Sequence, residues 1–316
     1  MISKVLFIDS VHPILEERLL KLGIVCEHDY SSSKSEIEAK ISNYQGVVIR
    51  SRFTLDKIFL DAATSLKFIA RSGAGLENID VEYAKKKGVK VIHSPAGNMD
   101  AVAEHTIGTL LMLFNQLKKG DNEVRKGIWD REGNRGLELM GKTAGIIGYG
   151  YMGSSLVKRL SGFGCTILVY DKYKSGFGNK TVKEVSLEQL KAESDIISIH
   201  LPLTEETQYY VDSNFITSVK KPFYLINTAR GNHVKIADLV QALKSGKILG
   251  ACLDVLEYET KSFETISKDK LPEDFVYLTQ SNKVVLSPHV AGWTVESYIK
   301  LSSVLADKIE QAFFSK

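Results

Sequence analysis

Cysteine is scarce in the 316-residue chain, which contains only Cys26, Cys165 and Cys252, far apart and without a CxxC pair. This number and spacing disfavour both a disulfide framework and a zinc site. No group of histidine, cysteine and aspartate has metal-ligand spacing, so we expect no metal and disfavour a metal-dependent enzyme. Few unpaired thiols are typical of a reducing compartment, and we expect a cytoplasmic protein.

The chain also lacks an excess of charge and a long apolar run. Its 41 basic side chains are nearly balanced by 38 acidic ones, giving a net charge of +3, so no basic surface for nucleic acid or membrane is indicated. No run approaches the roughly 18 apolar residues of a membrane span. The apolar run in the N-terminal segment MISKVLFIDS is too short for the apolar core of a signal peptide, and the segment predicts a first strand.

Short β-branched runs alternate with helix-like stretches, a pattern that predicts βαβ units and parallel sheets. A first series of strands is predicted at Val5–Ile8, Ile24–Glu27, Gly46–Ile49, Leu66–Ala70 and Val89–Ile92. A second series is predicted at Thr143–Ile147, Thr166–Tyr170, Ile196–Ile199, Phe223–Ile226, Gly250–Leu253 and Val284–Leu286. Six strands with intervening helices match a Rossmann-type domain.

Three further segments stand out by composition. Asn98–Leu117, between the two series, predicts one long helix, and its second half is apolar nearly all round. Such a helix is buried on most faces, either inside a core, between domains or against a second subunit. Val295–Phe314 predicts a last helix, and the polar stretch Glu257–Lys283 predicts a long loop.

A glycine motif follows the first strand of the second series. Gly148, Gly150 and Gly153 form GxGxxG, directly before the helix-like run Tyr151–Leu160. In a dinucleotide fingerprint the first glycine permits a tight turn, the second lets the backbone approach the pyrophosphate, and the third allows close packing of helix on strand. The phosphates then lie at a helix N-terminus, whose N–H groups favour anions.

An acidic residue follows the next strand at the position such a fingerprint requires. Asp171 lies 23 residues after Gly148. A carboxylate there accepts hydrogen bonds from the ribose hydroxyls and repels a 2′-phosphate, which favours NAD over NADP. The neighbouring Lys172 is a cation that could soften this exclusion.

Three candidate catalytic residues follow predicted strands of the second series. Arg230 lies in INTARG, Glu259 in LDVLEYE and His289 in SPH. Because ligands of open α/β sheets bind outside the carboxyl ends of the strands, we expect these side chains to converge. Arginine can hold a carboxylate and polarise a carbonyl, histidine can exchange a proton, and glutamate can orient the imidazole.

An ordered set of segments makes the chain similar to a known family over essentially its whole length. The segments are Arg71–Asp80, Val102–Thr106, the GxGxxG motif, His200–Thr204, Asn227–Gly231, Leu253–Asp254 and Pro288–His289. They resemble the D-isomer-specific 2-hydroxyacid dehydrogenases. The resemblance implies that Arg230, Glu259 and His289 are the catalytic trio, with the family's spacing selecting Glu259 over Glu257.

The family's fold is implied as well. It combines a Rossmann nucleotide-binding domain, expected at residues 98–288, with a flavodoxin-like parallel α/β substrate domain at 1–97 and 289–316. The implied cofactor is NAD and the implied assembly a homodimer, with the apolar helix Asn98–Leu117 in its interface. Residues implied to bind the cofactor are Gly148, Gly150, Tyr151, Met152, Gly153, Asp171, Pro202, Thr228 and Asp254.

The expected substrate is a small 2-hydroxy or 2-keto acid. The loop Ser72-Gly73-Ala74-Gly75 is implied to present N–H groups to its carboxylate. Arg50, Ser51 and Arg52 lie in a stretch that resembles one whose arginine helps to bind substrate phosphate in phosphoglycerate dehydrogenases. Trp129-Asp-Arg131 resembles their W-x-R segment, so that Arg131 is implied to reach the substrate in the active site of the neighbouring subunit. The favoured hypothesis is therefore oxidation of 3-phosphoglycerate to 3-phosphohydroxypyruvate, which opens serine biosynthesis.

Alternatives remain open from the sequence. One is a reductase of glyoxylate, hydroxypyruvate or another unphosphorylated 2-keto acid, and another is a non-catalytic NAD-sensing protein that binds partners. Formate dehydrogenases share the fold but have a glutamine where this chain has Glu259, so the glutamate argues against that activity. The chain departs from the family at Thr260, often proline, at Glu77, usually aspartate, and in the long, charged stretch Tyr258–Lys283.

Overall fold

The computed structural model describes residues 2–259 and 272–315. They form two compact units, one of residues 2–99 and 293–315, the other of residues 100–259 and 272–292. Each unit is built around one parallel β-sheet. In the described residues, no helix has both the length and the apolar content needed to cross a bilayer.

The first unit carries a five-stranded sheet in the order β2-β1-β3-β4-β5. Its strands are β1 (Lys4–Phe7), β2 (Val25–His28), β3 (Gly46–Ile49), β4 (Phe68–Arg71) and β5 (Lys90–His93). Its helices are α1 (Ile14–Lys21), α2 (Lys34–Lys40), α3 (Lys57–Ala62), α4 (Val81–Lys86) and, from the C-terminal segment, α12 (Val295–Phe313). This strand order is the flavodoxin-like one, as the sequence predicted.

Polar caps decide where several of these helices begin. Asp56 accepts a hydrogen bond from the backbone N–H of Phe59 and so starts α3 at Lys57. Ser33 and Glu36 form a capping box that starts α2, and Thr294 caps α12. Such caps satisfy N–H groups that a helix leaves without intrahelical partners.

The second unit carries a seven-stranded sheet in the order β12-β11-β10-β9-β6-β7-β8. Its strands are β6 (Thr143–Ile147), β7 (Thr166–Tyr170), β8 (Val182–Glu184), β9 (Ile196–Ile199), β10 (Phe223–Asn227), β11 (Ile248–Leu253) and β12 (Val284–Leu286). Its helices are α5 (Met99–Phe114), α6 (Leu117–Val124), α7 (Tyr151–Leu160), α8 (Leu187–Glu193), α9 (Ser213–Ser218), α10 (Ile236–Ser245) and α11 (Glu273–Gln280). Counted from β6, this is the Rossmann order extended by a seventh strand.

The sequence missed β8, so six strands were predicted where the sheet has seven. This strand has three residues, and only Val182 is buried, while Lys183 and Glu184 are exposed. It pairs with β7 at the sheet edge, where one apolar side chain suffices. A segment so short and polar carries no readable periodicity.

The helix predicted at Asn98–Leu117 is present as α5 but ends at Phe114, and α6 begins at Leu117. Gln116 adopts a left-handed conformation, with φ of +50°, and separates α5 from α6. α5 packs Ala103, Ile107 and Leu110 into the core of the second unit. Most of its apolar side chains therefore lie inside the core of this unit, which is the first of the three expected alternatives.

The predicted long loop Glu257–Lys283 contains a helix. α11 buries Leu278, and its Phe275 ring meets Tyr258 edge-on at 5.9 Å. Because charged residues surround these few apolar positions, the sequence shows no clear helical periodicity there. Residues 260–271 of the predicted loop lie outside the described residues.

Phe114→Ala tests the anchoring of α5. Phe114 is buried and its ring lies 4.7 Å from that of Tyr224. Removing it should lower the free energy of unfolding by about 3–5 kcal/mol, because transfer and cavity terms add. Chemical denaturation measures this, with Leu117→Ala, at an exposed position, as the control that should change little. Equal effects of the two substitutions would contradict the packing.

Acid should destabilise the second unit through His200. Burial lowers the pKa of His200 to about 4 from its ordinary 6.5. Between these pH values His200 is protonated in the unfolded chain but not in the folded chain. The free energy of unfolding therefore falls by about 3 kcal/mol as the pH is lowered from 6.5 towards 4. Denaturation across this pH range measures the loss, which His200→Gln should reduce; an unchanged slope in that variant would count against this cause.

Candidate active site

The residues expected to bind the cofactor and to act in catalysis follow different strands of one parallel sheet. Parallel strands present their carboxyl ends at the same edge, so the segments after them are neighbours. Backbone hydrogen bonds continue past the ends of the strands. The N–H of His200 donates to the carbonyl of Ile147 at 2.8 Å, and the N–H of Gly148 donates to the carbonyl of Tyr170 at 2.8 Å. On the catalytic side, Asp254 donates to Asn227 at 3.0 Å.

The GxGxxG motif forms a tight turn into α7. Gly148 has φ of +96°, and a Cβ there would lie 2.4 Å from the His200 carbonyl oxygen. A Cβ on Gly153 would lie 2.0 Å from the Gly148 carbonyl oxygen. Gly150, at the N-cap of α7, has no side-chain cap and open space where its Cβ would be. An open helix N-terminus framed by close backbone fits a pyrophosphate group.

Asp171 follows β7 and is held by backbone N–H groups. Tyr149 donates to one carboxylate oxygen at 2.7 Å, and Tyr173 and Lys174 donate to the other. Burial opposes the charge, but these hydrogen bonds outweigh it and leave the pKa of Asp171 below its ordinary value. The carboxylate is therefore ionised beside the glycine turn.

Lys172, next to Asp171, is paired with a carboxylate. Its ammonium donates to Glu206, whose second oxygen accepts from the Tyr173 hydroxyl at 3.0 Å. The pair raises the pKa of Lys172. The cation is thus engaged away from Asp171.

Glu259 and His289 are in direct contact. Glu259 Oε2 lies 2.6 Å from His289 Nδ1, and Glu259 Oε1 accepts a hydrogen bond from the Leu256 N–H at 2.6 Å. The carboxylate is therefore fixed at both oxygens and orients the imidazole. Glu257, the other candidate, accepts from the N–H of Ile236 at the start of α10 instead.

The turn that carries His289 is held by Asp254. His289 adopts φ of +53°, rare for a residue other than glycine, and its N–H donates to the Asp254 carbonyl at 2.7 Å. The Asp254 carboxylate, only 3% exposed, accepts from the N–H groups of Val290 and Ala291 at 2.9 and 2.8 Å. These bonds hold the strained turn in place.

Two further residues complete this network and were missed as site residues from the sequence. The Ser287 hydroxyl donates to Asp254 at 2.6 Å and lies 2.8 Å from His105 Nε2. Because a hydroxyl has one proton, His105 must donate through Nε2. His105 lies in the segment Val102–Thr106 on which the family resemblance rests, and Ser287 directly precedes Pro288–His289, which is the signal that could have found them.

Arg230 follows β10 and is positioned through its backbone. Its carbonyl accepts from the Asn227 side chain at 2.8 Å, and its Nη1 donates to the Ala229 carbonyl at 2.6 Å. A Cβ on Gly231 would lie 2.1 Å from the backbone of Leu256, so the Arg230 segment packs directly on the segment leading to Glu259. The fold thus brings both sides of the predicted trio together.

The remaining residues expected at the cofactor site line the same edge. Thr228 Oγ1 lies 3.2 Å from Thr106 Oγ1, and the Pro202 carbonyl accepts from Thr207 at 2.6 Å. Tyr151 and Met152 form the first turn of α7. Within the described residues, no group of three or more metal-ligating side chains is found.

The glycine loop expected to meet the substrate carboxylate lies in the first unit. Gly73 has φ of +152°, and a Cβ there would overlap the Arg71 guanidinium. The Gly73 N–H lies 3.3 Å from Ser94 Oγ, and the Ala74 carbonyl lies 2.7 Å from His93 Nδ1. Ser72 is buried and Gly75 continues the loop. His93, at the end of β5, and Ser94, directly after it, thus hold the loop in place.

The arginines expected to bind phosphate differ in their surroundings. Arg52 donates from Nη1 to the carbonyls of Ile8 and Asp29, at 3.0 and 2.6 Å, and from Nη2 to Ser32. Its guanidinium is thus part of the first unit's own structure.

Arg50 instead lies over the Trp293 ring, with 4.6 Å between guanidinium carbon and ring centroid. Asp9 Oδ2 accepts the N–H groups of Arg50, Ser51 and Arg52 at 2.6, 3.0 and 3.2 Å. Sequence reasoning found neither Asp9 nor Trp293, because only the fold brings them to this loop. Arg131 is exposed in the segment after α6, in the second unit.

Comparison with known proteins assigns the family. Residues 107–291 match the family model of the D-isomer specific 2-hydroxyacid dehydrogenase NAD binding domain. The chain is 34% identical over 302 residues to the D-3-phosphoglycerate dehydrogenase of Archaeoglobus fulgidus, covering 94% of this chain and 55% of that protein. It therefore spans about half the length of that relative.

Other relatives are matched over most of their length. The hydroxypyruvate reductase of Thermotoga maritima is 34% identical over 289 residues, covering 92% of this chain and 90% of that protein. Among solved structures, D-lactate dehydrogenase from Aquifex aeolicus, complexed with NAD and lactic acid, superposes with a TM-score of 0.84 at 28% identity. That alignment covers 98% of this chain and 95% of the other. The chain belongs to the D-isomer specific 2-hydroxyacid dehydrogenase family, and its cofactor is NAD.

Proposed function

We propose that the chain is an NAD-dependent oxidoreductase that interconverts a 2-hydroxy acid and its 2-keto acid. The observation that carries the proposal is the contact of 2.6 Å between Glu259 and His289, at the same sheet edge as the glycine turn of α7. A histidine oriented by a fixed carboxylate is suited to exchange a proton with a substrate hydroxyl.

His289 is the proton carrier in this mechanism. With Nδ1 bonded to Glu259, the proton is exchanged at Nε2, leaving the C2 hydroxyl in oxidation and returning to the C2 oxygen in reduction. Glu259 stabilises the positively charged imidazole that forms when the proton is taken. Bound NAD supplies the hydride acceptor, and NADH the hydride donor.

Arg230 is the residue proposed to hold the substrate. Its planar guanidinium suits two-point contact with a carboxylate and can polarise the C2 carbonyl. Asn227 fixes its backbone, and the close approach of Gly231 to Leu256 sets it against the Glu259 segment. The side chain can thus bind the reacting acid while His289 moves the proton.

Cofactor selectivity rests on Asp171 in this proposal. Its ionised carboxylate is suited to accept hydrogen bonds from ribose hydroxyls and to repel a 2′-phosphate. Lys172 would oppose this discrimination, but Glu206 neutralises it. We therefore expect NAD to be strongly preferred over NADP.

For the substrate we propose 3-phosphoglycerate. Arg50 supports this, because its guanidinium is stacked on the Trp293 ring and lies in the stretch that resembles a phosphate-binding segment. Relatives named D-3-phosphoglycerate dehydrogenase, such as those of Archaeoglobus fulgidus and Methanocaldococcus jannaschii, support it too. Arg52 then shapes the loop rather than binding phosphate.

A second candidate is reduction of hydroxypyruvate or another unphosphorylated keto acid. It is favoured by the engagement of Arg52, which leaves fewer cations for a phosphate. The chain also covers 90% of the Thermotoga maritima hydroxypyruvate reductase, against 55% of the Archaeoglobus fulgidus dehydrogenase. Substrate competition decides between the two.

We further propose that the unit of residues 2–99 and 293–315 is the substrate domain and the other unit the nucleotide domain. The predicted homodimer would use the apolar side chains exposed after α6, since most apolar residues of α5 are buried. Ile128, Trp129 and Met140 are 49%, 79% and 70% exposed. Such a surface suits contact with a second copy.

Glu259→Gln should lower kcat by roughly 10²-fold, because the imidazole loses the charge that stabilises its protonated form. Steady-state oxidation of the 2-hydroxy acid measures this. Glu257→Gln is the matched control, since Glu257 bonds the start of α10 and should leave kcat within about threefold. If the two variants lose activity equally, Glu259 has no special role.

Arg50→Gln should separate the substrate candidates. We expect kcat/KM for 3-phosphohydroxypyruvate to fall at least about tenfold, while hydroxypyruvate, glyoxylate and pyruvate change little, since a phosphate contact contributes roughly 1.5–3 kcal/mol. Loss of NADH absorbance with each acid measures the rates. Equal losses on all four acids, or a wild-type preference for an unphosphorylated one, would rule out 3-phosphoglycerate.

A further inference from the structure

A cavity of about 360 Å³ lies in the first unit, between the edge strand β5 and the last turns of α12. The residues around it are Lys90, Val91, Ile92, His93, Lys308, Gln311 and Ala312. Its volume is within the range of small-molecule sites. None of the residues proposed above for catalysis, cofactor or substrate lines it.

The strand side of the cavity offers backbone groups. β5 pairs with β4 alone, as the last strand of its sheet. The N–H groups of Lys90 and Ser94 point to β4, bonding Lys67 and Gly73. Backbone groups of the residues between them alternate, so Val91 and His93 turn theirs to the free edge. Both the N–H and the C=O groups of these residues face that edge, where the His93 carbonyl accepts from Lys308.

The charge of the cavity is positive. Lys90 comes from β5 and Lys308 from α12, and no acidic side chain is among the described residues that line it. Lys308 donates to the His93 carbonyl at 2.7 Å, and within the described residues it forms no ion pair. Burial lowers the pKa of Lys308, an effect that a bound anion would reverse.

The cavity is linked to the glycine loop. Lys308 bonds the carbonyl of His93, and the ring of the same His93 bonds the Ala74 carbonyl at 2.7 Å. The next residue, Ser94, donates its N–H to the Gly73 carbonyl at 3.0 Å. A ligand that orders Lys308 therefore orders the residues against which the loop is held.

We propose that this cavity binds a small organic or inorganic anion, through a carboxylate or phosphate group held by Lys90 and Lys308, and that binding stabilises the glycine loop. An ammonium has three donors, so Lys308 can keep its bond to His93 while it binds the anion. The effector role, unlike the binding itself, rests on the proposed function of the loop in holding substrate.

Gln311 allows the binding to be tested in both directions. It is exposed and lines the cavity, so substitution should leave the fold intact. Gln311→Glu adds a negative charge at constant size and should weaken phosphate and acetate binding at least tenfold, while Gln311→Lys should strengthen it severalfold. Isothermal titration of the full chain with each anion measures this and shows which group is preferred.

Lys86→Gln, on α4 and outside the cavity, is the matched control and should bind both anions as the wild type does. Unchanged affinity in both Gln311 variants, or no binding by the wild type at millimolar concentration, would overturn the proposal. Binding at the catalytic site cannot imitate the expected result, because it would not respond to charge at Gln311.

The effector role has a separate readout. The preferred anion should lower KM for the keto acid at least twofold in the wild type and have no such effect in Gln311→Glu. Competition at the catalytic site would instead raise KM in both proteins, and that outcome would overturn the effector role. If no keto acid is turned over, the proposed function fails, while the titration still decides the binding.

Discussion

At the end of β11, a nearly buried carboxylate holds the turn that carries His289. Asp254 accepts hydrogen bonds from Ser287, Val290 and Ala291. A charge so placed is costly unless its oxygens are satisfied, and here the backbone of the turn satisfies them. Because the carboxylate needs these donors and the turn needs this acceptor, the left-handed conformation of His289 persists, and Glu259 meets a fixed imidazole.

Close backbone contacts set the other side of the site. Gly148 and Gly153 bring the start of α7 onto β6 and the segment after β9, and Gly231 brings the Arg230 segment onto Leu256. At these positions a Cβ would lie 2.0–2.4 Å from backbone atoms, too close for any residue but glycine without a backbone shift. The parallel sheet gathers the strand ends at one edge, and the glycines determine how closely the segments approach there.

Three cations of the first unit have different partners. Arg52 is held by backbone carbonyls and shapes a loop, and Arg50 stacks on Trp293. Lys308 bonds the His93 carbonyl beside a cavity that no acidic residue lines within the described part of the chain. Residue type alone cannot separate these roles, since a guanidinium is equally suited to close a loop or to bind a phosphate. The partners of each cation determine which role it serves.

The sequence by itself determined the two α/β series and the Rossmann-type domain, because strand periodicity and the GxGxxG spacing are local properties. The family and the flavodoxin-like domain followed from the resemblance of its ordered segments to known proteins. It could not show β8, too short and polar for a pattern, or the break of the apolar helix at Gln116. The family resemblance selected Glu259 over Glu257, but the direct contact of Glu259 with His289 joins positions 30 residues apart and is shown by the structure. The support of His105 and the engagement of Arg52 likewise depend on tertiary contacts between distant segments, which no local pattern records.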